Sequence, residues 1–273
     1  MQTTCLDNVG FPVFLILRVQ SPLRGGLKMR FLTVTAVLIA VVMVVFSSTS
    51  YARDKEYEAK QINLKIDGNL GEWAGSDIII FEELKDVGTK LPSEKDFSGT
   101  GMIGWNSADP NRVYFAATIT DDKLQDIHPA GDTWWEDDSL EVMFDFANDA
   151  QLAQWTIGAN GTDISACCTE DNLEWIVVNK GDKYIFEGAI DSTKGNTYKP
   201  GLGLNFEAEV GLIIGLAFHY NDCENGAREH QIGWTAGGAW DANCYGDLIF
   251  SSERAAVEPS GKLTVSWGSL KLR

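Results

Sequence analysis

Trp135 stands six residues ahead of Glu141 within GDTWWEDDSLEVMFD (131–145), with Trp134 beside it and three further acids between. A broad indole close to a carboxylate suits one kind of chemistry. The axial C–H groups of a pyranose form an apolar face that can lie on an aromatic ring, and its equatorial hydroxyls need charged acceptors and donors at the edge. Alternation along SLEVMFDF (139–146) puts Leu140, Val142 and Phe144 toward a core and Ser139, Glu141, Met143 and Asp145 on the opposite side. Carried back through a regular strand, the same parity places Trp135 on the Glu141 side. A second stretch, NDCENGAREHQIGWTAGGAWDANCYGDLIF (221–250), holds Arg228, Trp234 and Trp240. Trp240 falls in a loop of Gly, Ala and Asn with little core to fill, and loops at the end of a β-fold are where binding residues gather. Trp135 and Trp240, coming from separate loops, are expected to clamp one sugar between them.

The elements that must carry these residues read as strands. Alternating or apolar runs occur at 112–120, 139–146, 174–180, 183–190, 211–220, 230–235, 245–250 and 262–271. Turn signals separate them at Asp109-Pro110-Asn111, Asn160-Gly161, Lys180-Gly181-Asp182 and Asn225-Gly226. There is no long amphipathic helix, no internal repeat and no interdomain linker. The expected fold is all-β: an antiparallel, jelly-roll-like β-sandwich forming a single domain.

Ahead of that domain, FLTVTAVLIAVVMVVF (31–46) follows Lys28 and Arg30 and precedes small residues at Ser50 and Ala52. This is the layout of a secretory signal peptide, and the run is short for a membrane span, which needs roughly 20 residues. The expected division is therefore an over-extended N-terminus at 1–28, a signal peptide at 29–52 cleaved after Ala52, and a sandwich at 53–273. An exported chain, periplasmic or extracellular, with no membrane attachment after cleavage follows from this reading. The 273 residues carry 22 Lys and Arg against 39 Asp and Glu, and the part after Ala52 has a formal net charge of −20. Such an acidic balance argues against nucleic acid as a partner. Four cysteines follow the cleavage point, Cys167, Cys168, Cys223 and Cys244, which permits two disulfides in three pairings. Adjacent cysteines pair poorly, and Cys223–Cys244 is the preferred bridge. With no C-x-x-C and three His, a zinc site is not expected.

Five motifs in order resemble the family 9 carbohydrate-binding modules: IDGNLGEW (66–73), WNSADPNRVYFAATITDD (105–122), WEDDSLEVMFD (135–145), YIFEGAI (184–190) and the N-D…R…W…W…YGDL block at 221–248. The resemblance covers nearly the whole chain after Ala52. It implies a β-sandwich that binds oligo- or polysaccharide, often at a reducing end, between two tryptophans falling on Trp135 and Trp240. It also implies sugar-binding roles for Glu141, Arg228, Asn221 and Asp222, with Trp234 beside them. Structural calcium is implied as well, with acidic loops such as Asp121-Asp122 as ligand candidates and no organic cofactor. Support of xylan or glucan breakdown follows, with any glycoside hydrolase on another chain and no catalytic residue here. One departure stands out. The family's arginine on the strand after the first tryptophan's strand is missing, since QLAQWTIGANG (151–161) has no basic residue. Thr156 takes the matching place, with Gln154 close by. Losing such a donor costs about 1.5–3 kcal/mol.

Two other functions fit some residues. A haem-binding electron-transfer sandwich would draw axial ligands from Met102, Met143, His128 or His219. A residual hydrolytic role would use two of Glu136, Asp137, Asp138 and Glu141.

Overall fold

Strand follows strand along the chain, as the alternation requires. The computed structural model describes residues 53, 55–128, 134–150, 152–161, 164–166, 172–193 and 206–255. The strands are β1 (Glu56–Gln61), β2 (Ile79–Ile80), β3 (Glu83–Leu84), β4 (Phe97–Asn106), β5 (Asp109–Asp121), β6 (Ser139–Asp145), β7 (Ala153–Gly158), β8 (Ile164–Ala166), β9 (Leu173–Asn179), β10 (Lys183–Asp191), β11 (Ile213–Glu224), β12 (Ala227–Gly233) and β13 (Gly246–Arg254). Three short 3-10 turns aside, Leu70–Trp73, Trp134–Glu136 and Ala242–Cys244, all regular structure among the described residues is β, and no helix among them is long and apolar enough to cross a membrane. The apolar run at 31–46, Cys167, Cys168 and the expected strand at 262–271 lie outside the described residues.

Hydrogen bonding links the strands in the order β8-β7-β6-β11-β13-β1-β4-β5-β10-β9, with β12 on β11 and the short β2 and β3 at the margins. The sheet curls so that its two halves face each other as a sandwich. Phe218 of β11 lies over Gly101 of β4, where any Cβ would collide with the ring, so glycine is required there. Phe97 stacks on Tyr220 with ring centroids 5.4 Å apart, and Trp105 meets Phe250 edge-on at 5.7 Å. Edge-on and offset ring pairs of this kind add about 0.5–1.5 kcal/mol each beyond the area they bury.

Two expectations change. The sheet is mixed rather than purely antiparallel, because β1 runs parallel to both β13 and β4. Its position between the two halves makes β1 the seam of the sandwich. The Asp109-Pro110-Asn111 signal begins β5 instead of forming the turn, which falls at Ser107-Ala108. The Asn225-Gly226 signal holds: the two residues have φ of 54° and 85°, the paired left-handed geometry of a tight hairpin between β11 and β12.

The motifs at 66–73 and 184–190 meet in space. Glu187 is fully buried. It accepts hydrogen bonds from Asp67 N (2.8 Å), Gly68 N (2.7 Å) and Trp73 Nε1 (2.8 Å), tying the chain entrance to β10. Glu187→Gln keeps the shape but removes one acceptor oxygen, leaving buried N–H groups short of a partner. It is expected to destabilise the fold by about 1–3 kcal/mol. Urea unfolding should show a lower midpoint with an unchanged slope, and an unshifted midpoint would contradict the clamp.

Candidate functional site

Side chains of β6, β7, β11 and β12 that turn away from the Phe218–Tyr220 core form a polar face. Glu141 lies opposite Thr156 on one side and His219 on the other; Ser139 lies opposite Asn221, and Asn221 opposite Gln231. Glu141 is buried, at 3 % exposure. One of its oxygens accepts from Gln154 Nε2 (2.9 Å) and Thr156 Oγ1 (3.4 Å). The other accepts from Gln231 Nε2 (3.0 Å) and is hydrogen-bonded to His219 Nε2. A carboxylate offers about four lone-pair sites, and all four are used. Burial works to raise the Glu141 pKa, but His219, Asn221 and Arg228 outweigh it and hold the group below the ordinary glutamate value. Beside this centre, Arg228 donates to Asn221 Oδ1 (2.9 Å), and Asn221 donates to Ser139 Oγ (3.0 Å).

The two tryptophans sit on braced loops. Trp135 lies in a 3-10 turn, Trp134–Glu136, not on an extension of β6, so strand parity does not reach it. The residue is 41 % exposed. The acids that follow it are clamps. Asp137 accepts from Ile127 N (3.0 Å) and His128 N (2.9 Å), and Asp138 accepts from Cys223 N (2.8 Å) and Gln125 N. Trp240 is 56 % exposed. Its neighbour Ala239 is gripped at both ends, by Asp86 Oδ2 on its N–H (2.9 Å) and by the Tyr245 hydroxyl on its carbonyl (3.2 Å). The Tyr245 hydroxyl is also 3.6 Å from Met143 Sδ on the Glu141 side of β6. Asp86 N in turn donates to Gln231 Oε1 (3.4 Å), the same side chain that supports Glu141. A short chain of hydrogen bonds thus runs from Glu141 to the Trp240 loop. By contrast Trp73, Trp105 and Trp155 are each 1 % exposed and fill the interior.

The structure therefore brings Glu141, Arg228 and Asn221 together and leaves Trp135 and Trp240 partly exposed. Trp234 does not join them. It is buried at 7 % exposure, edge-on to Tyr57 and close over Gly246, so it is a core residue and offers no stacking face. Asp222 also departs from expectation. One residue beyond Asn221, it points to the other side of β11 and pairs with His230 Nδ1 (3.0 Å). The preferred bridge is not formed: Cys223 is a free buried thiol, while Cys244 is disulfide-bonded to another partner.

Residues that the spacing did not single out complete the site. Gln231 was visible only as one polar side chain in HQIGW. Lys85 reaches the site from the segment after β3, which pairs with β12 through Lys85 N to Gln231 O (2.8 Å).

On the Asp222 side lies a second cluster. Ligand atoms of Asp121, Asp138 and Asp222, all buried, fall within 4.8 Å of one another, and Asp96 with His230 or with Asp122 and Glu224 extends the group. Burial, reinforced by the neighbouring charges, raises Asp138 to about 9, Asp222 to about 7 and Asp121 to about 6. An oxygen-rich set whose members repel one another this strongly fits a hard divalent cation such as calcium.

The haem candidates are otherwise engaged. His219 bonds Glu141, His128 Nδ1 lies 2.9 Å from Asp137, and Met143 is fully buried, while Met102 packs in a separate cluster around Trp73.

Residues 66–252 match the carbohydrate family 9 binding domain-like family, and the chain belongs to it. A family 9 carbohydrate-binding module from Caldicellulosiruptor kristjanssonii, solved in complex with glucose, is similar at 16% identity and a TM-score of 0.58, covering 75% of this chain and 100% of that one. A family 9 module from the same organism in complex with cellotriose is similar at 17% identity and a TM-score of 0.59, covering 75% and 98%. No curated protein matches the sequence.

Proposed function

We propose that this chain is an exported carbohydrate-binding module in which a terminal sugar stacks between Trp135 and Trp240. The hydroxyls would be met by polar groups gathered around Glu141, among them Gln231, Gln154 and the Arg228–Asn221 pair. The observation that carries this reading is the contrast among the indoles. Trp135 and Trp240 stay open to solvent on loops braced by hydrogen bonds, while Trp73, Trp105 and Trp155 are sealed in the core. Braced, exposed rings bind without a large ordering cost. The relatives solved with glucose and cellotriose support an oligosaccharide such as a glucan end as ligand, with a xylan end as the alternative, and polysaccharide breakdown would fall to a glycoside hydrolase on another chain. Calorimetry with cellobiose and xylobiose tests this; no measurable binding of either, or of any neutral oligosaccharide on a glycan array, would overturn it.

Asp121, Asp138 and Asp222 are the residues that would hold structural calcium, whose charge would offset theirs. Added calcium is expected to raise the melting temperature, and chelation to lower it, by several degrees. The shift should disappear in Asp138→Asn. Equal melting curves with and without calcium in the wild type would remove the metal from the proposal.

A further inference from the structure

We propose that Lys85 supplies the cationic hydroxyl donor that β7 lacks, and that it is a specificity-determining residue of the sugar site. The inference rests on the carbohydrate reading above and names a residue of that same site. β7 carries no basic side chain, and Thr156, which matches the place where the family resemblance expects one, is spent on Glu141. Lys85 approaches the same face from the opposite side. Its side chain runs along Gly233, with Cδ 3.4 Å from where a Cβ would be, and Gly233 is the register partner of His219, which bonds Glu141. Its Nζ donates to Thr235 O (2.9 Å) and Thr235 Oγ1 (3.2 Å). An ammonium has three N–H groups, so one remains for a ligand, with no partner among the described residues.

The charges around Lys85 fit that role. Glu83 and Asp86 stand on its own segment, Glu141 comes from β6, and Asp241 comes from the loop directly after Trp240. His219 on β11 is the titratable group that faces it from the sheet. Lys85 thus lies within electrostatic range both of Glu141 and of Asp241, the residue that follows Trp240. Burial lowers its pKa from 10.5 to about 8 against the pull of these acids. The half-buried amine is therefore charged at neutral pH and loses its proton as pH passes through 8.

The test is cellobiose binding by calorimetry between pH 6.5 and 9.5, with melting curves as a fold control. Wild-type affinity is expected to fall severalfold across pH 8. Lys85→Gln should bind roughly tenfold more weakly at pH 7, the scale of one charge-assisted hydrogen bond, and show no such fall. Lys85→Arg should stay charged and bind independently of pH in this range. If Lys85→Gln binds as tightly as wild type while Trp240→Ala binds weakly, the Lys85 assignment is wrong and the sugar site stands. If wild type binds neither cellobiose nor xylobiose, the carbohydrate reading fails and Lys85 with it; if wild type and Trp240→Ala bind equally well, the Trp240 platform is wrong and the placing of Lys85 beside it falls with it.

Discussion

Glu141→Gln is expected to destabilise the protein by about 3 kcal/mol or more and to abolish sugar recognition along with it. The substitution preserves volume, so no cavity forms. What changes is hydrogen bonding. Four donors now converge on the carboxylate: Gln154, Thr156, Gln231 and His219. A glutamine presents an NH2 group to two of them, and each buried donor left unmatched costs about 1–3 kcal/mol. Removing the charge also strips Arg228 of an opposing neighbour. The pH dependence has a definite sign. The folded-state pKa of Glu141 lies below its ordinary value, so its contribution is present above the unfolded pKa and is lost as pH falls through the folded one. The stability gap between wild type and Glu141→Gln should therefore be full at pH 7 and shrink in acid below the usual glutamate range. Denaturant unfolding at several pH values measures it. A gap that persisted unchanged into strong acid would mean that the carboxylate charge is not what holds the network.

Trp135→Ala and Trp240→Ala are each expected to weaken cellobiose or xylobiose binding by at least about 1 kcal/mol, fivefold or more, as removal of a stacking platform from a desolvated contact should. The two residues are 41 % and 56 % exposed, so each change should lower the melting temperature far less than loss of a core indole such as Trp105. That separation of binding from stability distinguishes a platform from a core residue. Trp234→Ala gives the contrast: its ring is buried against Tyr57, and its loss should show first in stability. Affinities for Trp135→Ala and Trp240→Ala that match wild type in calorimetry would falsify the clamp.

The strand alternation was legible because a sheet with one face in the core repeats every two residues, and SLEVMFDF obeys that rule without exception in the Leu140, Val142 and Phe144 side. The motifs that met at Glu187 were legible as motifs but not as a contact, since nothing in 66–73 states which distant acid will receive its N–H groups. Asp137 and Asp138 read only as candidate acids of a hydrolytic pair, and their clamping of the loops was not legible, because they bind backbone N–H groups on the 125–128 loop and on β11 that have no side-chain signature. Lys85 carried no signal: its segment has neither alternation nor a turn pair.

By itself the sequence determined an all-β chain, several of its strands, and a loop around Trp240, because these follow from local periodicity and composition. Only the tertiary structure decided that β1 runs parallel at the seam, that Trp234 is sealed inside, that Asp222 turns away from Asn221 toward Asp121 and Asp138, and that Glu141 is saturated by four donors. Each of those outcomes depends on which strand lies beside which, and long-range pairing across a curled sheet is set by the packing of the whole chain and not by any one stretch of it.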